Sequence, residues 1–218
     1  MAEEVFPTTP LIRLASCVLR PYHASDLEPM CVAANDPAVA RFMRDAFPSP
    51  YDREAGLAWL RICHAKDLAA VDEAAAGAVV EDSAPSTHSP DIHLAVCLLD
   101  GTFVGSAGLR AISADGTDRY SREIGYWIGK AFWGRGLATE VAAGLGRWAL
   151  SPASSQLTKD GQPLRRVEAG VYAENLASAK VLERAGYVRE GVRRQAVVKN
   201  GVMQDVIVYG LLPSDVRD

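Results

Sequence analysis

The chain has 218 residues, is 49% hydrophobic and 23% charged, and carries a formal net charge of −4. That length buries a sizeable core without staples and fits one domain of ordinary globular composition. A mildly acidic chain with no 18-residue apolar run has no general attraction for nucleic acid or anionic membrane, and no predicted membrane span.

Met1 to Pro10 carries Glu3 and Glu4 and no apolar segment, so neither a signal nor a transit peptide is expected, and a cytoplasmic location is. Cys17, Cys31, Cys63 and Cys97 are isolated, with no Cys-x-x-Cys pair, and read as free thiols in a reducing compartment. His23, His64, His88 and His93 form no ligand-like spacing, so no metal site is expected.

Leu11 to Arg20 alternates loosely and stops at Pro21, which predicts a strand. Ser25 is the predicted N-cap of a helix whose buried face is Leu27, Met30, Cys31 and Ala34. Asn35-Asp36-Pro37 breaks it, and Val39 to Met43 supplies a further helical turn. Asp52 caps the next helix, which runs through Leu57, Trp59, Leu60 and Ile62. Residues 65–91 change character to alanine-rich and then small, polar and proline-bearing, which predicts a flexible insertion, either a surface loop or a flap over a cleft.

Two strand-like runs follow, Ile92 to Leu99 and Thr102 to Ile112, joined by the hairpin signal Asp100-Gly101. A third, Arg122 to Ile128, completes an antiparallel meander. Trp133-Gly134-Arg135-Gly136-Leu137-Ala138-Thr139-Glu140 then turns into a helix ending near Leu150, with Leu137, Val141, Leu145 and Trp148 along one side. A glycine turn between strand and helix can aim several backbone N–H groups at one anion, and the helix dipole favours that charge. Arg166 to Tyr172 is the fourth strand. Asn175 caps a short helix to Ala185 that stops at Gly186, and Asn200-Gly201 closes a last hairpin. A dinucleotide-binding unit does not fit, because Thr139 stands at the third glycine position and antiparallel hairpins surround the motif.

Together these pieces resemble the GNAT superfamily of N-acetyltransferases, most closely its ribosomal-protein-alanine N-acetyltransferase branch (acetyltransferase domain 3). The matching residues are Leu19-Arg20-Pro21, Glu123 to Ile128, Phe132 to Glu140, Asn175-x-x-Ser178, Leu182-Glu183-x-x-Gly186-Tyr187, Glu190-Gly191 and Asn200-Gly201-x-x-x-Asp205. They span most of the chain outside residues 65–91. The resemblance implies an α+β (α/β) GNAT fold: a mixed, mostly antiparallel central sheet, helices on both faces, and a splayed strand pair that binds acetyl-CoA.

It also implies transfer of the acetyl group to a primary amine, on a protein N-terminus or a small molecule, by direct attack through a tetrahedral intermediate. The partners are then acetyl-CoA as co-substrate and an amine acceptor, with no nucleic acid, membrane or metal, in a monomer or homodimer. Arg135, Gly136, Leu137, Ala138 and Thr139 would seat the pyrophosphate, although Trp133 replaces the usual Gln or Arg of the turn. Tyr126, Trp127 and Ile128 would present backbone N–H groups to the thioester carbonyl. Asn175 would hold the pantetheine arm or a water, and Ser178 would place a hydroxyl near the sulfur. Leu182 occupies the position where many relatives have a tyrosine acid, leaving Tyr172 and Tyr187 as weaker candidates. Glu123 is the first choice of base, with Glu168 and Asp205 as alternatives. Asp45, Asp52 and Glu54 could line an acidic acceptor cleft. The competing reading is a non-catalytic acyl-CoA-binding or protein-interaction module on the same fold.

Overall fold

The computed structural model describes residues 6–64, 91–113 and 116–216. The expected insertion lies outside the described residues except for Asp91. Strands β1 (Ile12–Arg13), β2 (Cys17–Arg20), β3 (Ile92–Leu98), β4 (Phe103–Arg110), β5 (Ser121–Ile128), β6 (Arg166–Tyr172), β7 (Val188–Lys199) and β8 (Val202–Leu211) form one sheet in the order β1-β2-β3-β4-β5-β6-β8-β7. All neighbours are antiparallel except β5 and β6, which are parallel. Helices α1 (Leu27–Ala34), α2 (Pro37–Ala40), α3 (Arg53–Ile62), α4 (Leu137–Ala149) and α5 (Leu176–Arg184) complete the described fold.

Two cores follow from period-two alternation along the central strands. Leu94 and Val96 of β3 join Leu137, Val141 and Leu145 of α4 and Leu182 of α5 in one cluster. Ala95 and Cys97 of the same strand join Leu27 and Met30 of α1 and Leu57 and Leu60 of α3 in the other. The sheet therefore has helices on both faces, as the resemblance implied. On α4 the buried stripe also takes in Ala142, Gly144, Gly146 and Ala149, while Trp148 is only half-buried. Gly146 is needed there: a methyl would come 2.7 Å from Leu211 and 2.8 Å from the Tyr187 hydroxyl.

Several local expectations are corrected. Leu11 to Arg20 is not one strand but a hairpin of β1 and β2, whose turn donates Ser16 N–H to Glu140 Oε1 at 2.8 Å. Ser25 is not the cap: His23 caps a 3-10 turn, Ala24–Asp26, that leads into α1, and α1 itself starts from Asp26 with no side-chain cap bond. The His23 ring accepts from Ser25 N–H, and Asp26 returns a bond to His23 N–H. Asp26 has a second duty: its carboxylate receives both terminal nitrogens of buried Arg20, at 2.6 and 2.8 Å. A buried charge needs such a partner. The helical turn at Val39 starts earlier, at Pro37, capped by Asp36. Asp52 and Asn175 cap α3 and α5 as expected. Asn200 and Gly201 both take positive φ, 52° and 77°, as the final tight hairpin requires.

Candidate active site

β5 and β6 are bonded only at their starts, Ser121 to Glu123 against Arg166 to Glu168. Beyond that, β6 stays on β8 through Tyr172 and β5 stays on β4 through Ile128, so a gap opens between two otherwise well-paired strands. Gly129 N–H bonds Val104 on β4 at 2.8 Å. By the alternation of an extended strand, Trp127 N–H also turns to β4, while Tyr126 and Ile128 N–H turn into the gap. The expected trio of donors, Tyr126, Trp127 and Ile128, thus divides into two that face the gap and one that does not.

The gap ends on the glycine turn. Gly134 and Gly136 have φ of 76° and 79°, a left-handed geometry that costs a residue with a Cβ about 1–2 kcal/mol. Gly136 is the N-cap of α4 and no side chain caps that end, so the first N–H groups, from Leu137, Ala138 and Thr139, are presented outward. The Trp133 indole N–H donates to Ile128 C=O at 2.6 Å, fastening the turn to the end of β5. This explains the departure from Gln or Arg: Trp133 supports the turn from below. Arg135 lies over the Phe132 ring, 5.3 Å from its centroid, and reaches Ala131 C=O at 3.3 Å, an exposed guanidinium beside the turn.

Across the gap, α5 brings Asn175 and Ser178 to β5. Asn175 Oδ1 accepts from Ser178 N–H at 3.1 Å, which is the helix cap. Ser178 Oγ lies 3.0 Å from the Tyr126 hydroxyl. Burial first, and Tyr209 second, push the Tyr126 phenol up to about 12, against the opposing effect of Ser178. The phenol is protonated at neutral pH, and either hydroxyl of the pair can be the donor. The Tyr126 side chain's contact with Ser178 was missed from sequence, where only the backbone of that residue drew notice; the signal was its parity with Ile124 and Ile128. Tyr187, a candidate acid, is instead buried under α4, with its hydroxyl 3.4 Å from Ala142 C=O.

The opposite face of β5 carries Glu123, Gly125 and Trp127. Both Glu123 oxygens are engaged: Oε1 by Arg44 at 2.7 Å, and Oε2 by Arg110, its cross-strand partner on β4. Arg44 was invisible in the sequence, 79 residues from Glu123. Glu168 lies beside Glu123 on β6 and pairs with Arg166, which also holds Glu190. Asp205 Oδ1 accepts from Gln195 N–H at 2.8 Å and so stabilises the irregularity in β7. An open depression of about 600 Å³ is lined there by Arg194, Gln195 and Asp205. Of the residues that could line an acidic cleft, Asp45 is tied to Lys199 and Asp52 accepts the cap bond of α3. Phe47 meets Trp127 edge-on at 6.0 Å, giving this side an aromatic wall.

All four cysteines are free. No described group of three or more His, Cys, Asp or Glu is placed to hold a metal, and no described helix is long and apolar enough to cross a membrane.

The comparisons with known proteins agree with this geometry. Residues 17–188 match the model of the Acetyltransferase (GNAT) domain. The Bacillus subtilis (strain 168) protein named Probable N-acetyltransferase YjcK is 40% identical over 92 residues, 42% of this chain and 46% of that protein. The match thus spans about half the length of that curated relative. Mycobacterium smegmatis RimJ in complex with CoA-disulfide superposes with a TM-score of 0.66 at 22% identity, over 97% of this chain and 89% of its own. Microcin C7 self immunity acetyltransferase MccE, in complex with acetyl-CoA and AMP, gives 0.66 at 16% identity over 95% and 98%. At those identities the two structures speak for the fold alone. The family match covers most of the chain, from β2 to the start of β7, and includes the splayed strands and the glycine turn: the chain belongs to the GNAT acetyltransferase family.

Proposed function

We propose that the protein is an acetyl-CoA-dependent N-acetyltransferase acting on a primary amine. The observation that carries this reading is the gap between β5 and β6, which joins an uncapped helix N-terminus at one end to the Tyr126–Ser178 pair across it. In this reading Arg135, Gly136, Leu137, Ala138 and Thr139 take the pyrophosphate on backbone N–H groups, with charge added by the Arg135 side chain. Asn175 keeps a side-chain N–H pair for the pantetheine arm, since its cap bond uses only the oxygen.

Acetyl-CoA supplies an activated thioester; the chain supplies position and protons. Tyr126 and Ile128 N–H polarise the carbonyl, the developing negative charge being what such donors stabilise. The amine nitrogen bonds to the carbonyl carbon, the C–S bond breaks, and Ser178 protonates the departing sulfur; Ser178 is reprotonated through the Tyr126 hydroxyl, which regains its proton from solvent as CoA leaves. Glu123 receives the proton the amine loses, directly or through water, and for that one of its two arginines must release an oxygen. The occupied state of Glu123, with Leu182 at the position of the tyrosine acid, favours the competing reading, a module that binds acyl-CoA without turnover. The support for catalysis is the pairing of two hydroxyls, Ser178 and Tyr126, across the gap, which binding alone does not require.

Continuous detection of thiol release from acetyl-CoA with a panel of primary amines, beside calorimetric binding of acetyl-CoA, tests the proposal. Amine-dependent release supports it. Tight binding with no release for any amine class supports the non-catalytic module, and no binding removes both.

A further inference from the structure

The acceptor side of β5 holds an uneven set of charges. Arg44 and Arg110 converge on the single carboxylate of Glu123, and among the described residues neither arginine has a second acidic partner. Their side chains are 58% and 43% exposed while that of Glu123 is 19% exposed, so both arginines are open to solvent beside a more enclosed carboxylate. A guanidinium has five N–H donors in a planar fork, and most remain unused here. On β6 the balance is reversed, with one arginine, Arg166, between Glu168 and Glu190. Glu123 and Glu168 are register partners, so the surplus positive side, with Arg110 on β4, and the surplus negative side on β6 flank β5, about 10 Å apart in the pairing direction.

The floor above them is open. Gly125 and Gly170 are both exposed on this face, and a methyl at Gly125 would meet nothing within 4 Å. Arg44 belongs to the segment between α2 and α3. Its neighbour Asp45 reaches Lys199 on β7 at 2.8 Å, so the segment roofs this floor from β5 toward the last hairpin.

We infer that the acceptor is an amine that also carries an anionic group, a carboxylate or a phosphate, received by Arg44 and Arg110 with its amino end toward β6. This rests on the acetyl-transfer reading and adds a substrate class to it. An arriving anion would draw the Arg44 guanidinium off Glu123 Oε1, so the same contact that selects the acceptor would free an oxygen to take its proton. Arg44 is the mobile member because Arg110 is fixed as the direct cross-strand neighbour of Glu123.

The test uses matched acceptors with the full chain: alanyl-glutamate against alanyl-glutamine for carboxylate, and phosphoethanolamine against ethanolamine for phosphate. Thiol release gives kcat/KM. Calorimetry on the CoA-loaded protein gives binding of each compound without turnover. One charge-assisted contact predicts a preference of about tenfold or more for the anionic member of at least one pair. Arg44→Gln should erase that preference and leave the Kd of acetyl-CoA unchanged, while Arg44→Glu should shift preference to the neutral member. Equal or better use of both neutral members by the unaltered protein, or an Arg44→Gln protein that keeps the preference, overturns the inference while acetyl transfer stands. Anion binding that Arg44→Gln removes, without release from any amine, upholds the anion site and overturns acetyl transfer. Neither binding nor release overturns both.

Discussion

Tyr126→Phe isolates the contact that most directly links this structure to chemistry. The substitution keeps the ring among its neighbours and removes only the hydroxyl 3.0 Å from Ser178 Oγ. As one neutral hydrogen bond it should lower stability by about 1 kcal/mol, and the thermal midpoint of a domain this size by about 2–4 °C. As the proton supply behind Ser178 it should lower kcat by about tenfold, equivalent to about 1.4 kcal/mol of barrier. KM for acetyl-CoA should not move, because the phenol touches Ser178 rather than the turn at Gly136. Ser178→Ala removes the donor itself and should cost about a hundredfold or more. The double variant separates positioning from packing. If Tyr126 acts through Ser178, Tyr126→Phe adds nothing once Ser178 is alanine. Steady-state thiol release from the four proteins, with melting curves beside it, reads all of this. A melting shift with unaltered kcat, or losses that multiply in the double variant, would refute the relay.

Three other outcomes follow from the same geometry. Gly136→Ala forces a Cβ into φ of 79° at the N-cap of α4; it should weaken acetyl-CoA by about tenfold in calorimetry while the circular dichroism spectrum is retained. Gly125→Ala meets no protein atom within 4 Å, so stability should stay within about 0.5 kcal/mol while KM for the amine rises and the Kd of acetyl-CoA does not. Burial raises the buried thiols Cys17 and Cys97 from 9.0 to about 12. A folded pKa above the unfolded one gives stabilisation that is whole below pH 9.0 and is lost as pH rises through about 12. Urea unfolding should therefore weaken across that alkaline window, and Cys97→Ala should flatten the slope.

What could be read in advance was whatever short-range patterns encode. The meander, the glycine turn, α4 and the Asn175 cap all follow from residues within one or two turns of each other, and they carry the family likeness. Failures occurred where a distant group decided the outcome. Leu11 to Arg20 reads as one strand, yet Glu140, 124 residues away, takes Ser16 N–H and supports a turn there. Ser25 failed for a nearer reason: it is the better cap by residue type, but a 3-10 turn capped by His23 precedes α1, and Asp26, where α1 starts, is held by His23 N–H and buried Arg20. Glu123 as an isolated carboxylate at a strand start is a plausible base. Its two arginines come from β4 and from beyond α2, and only the tertiary fold brings the second one in.

β5 also shows why the proposed donor and acceptor duties need not interfere. Its side chains alternate, so Tyr126 faces α4 and α5 with Ile124 and Ile128, while Glu123, Gly125 and Trp127 face α1 and α3. In the proposed mechanism the leaving group is served from one face and the nucleophile from the other, with the backbone N–H groups of the strand between them. Substitutions at odd positions of β5 should then change acceptor KM and leave acetyl-CoA binding alone, whereas Tyr126 should change only the rate. A one-residue slip of β5 would exchange the two sets. Register is held against that slip by Arg122, which is fully buried and donates to Leu157 C=O at 2.6 Å and to Arg119 and Ser121 C=O. Burial lowers the pKa of this guanidinium, and without those carbonyls it would be a costly group to keep in the core. Arg119 and Ser121 move with the strand, but Leu157 C=O meets Arg122 only in the native register, so this arginine fixes which face of the strand each functional side chain occupies.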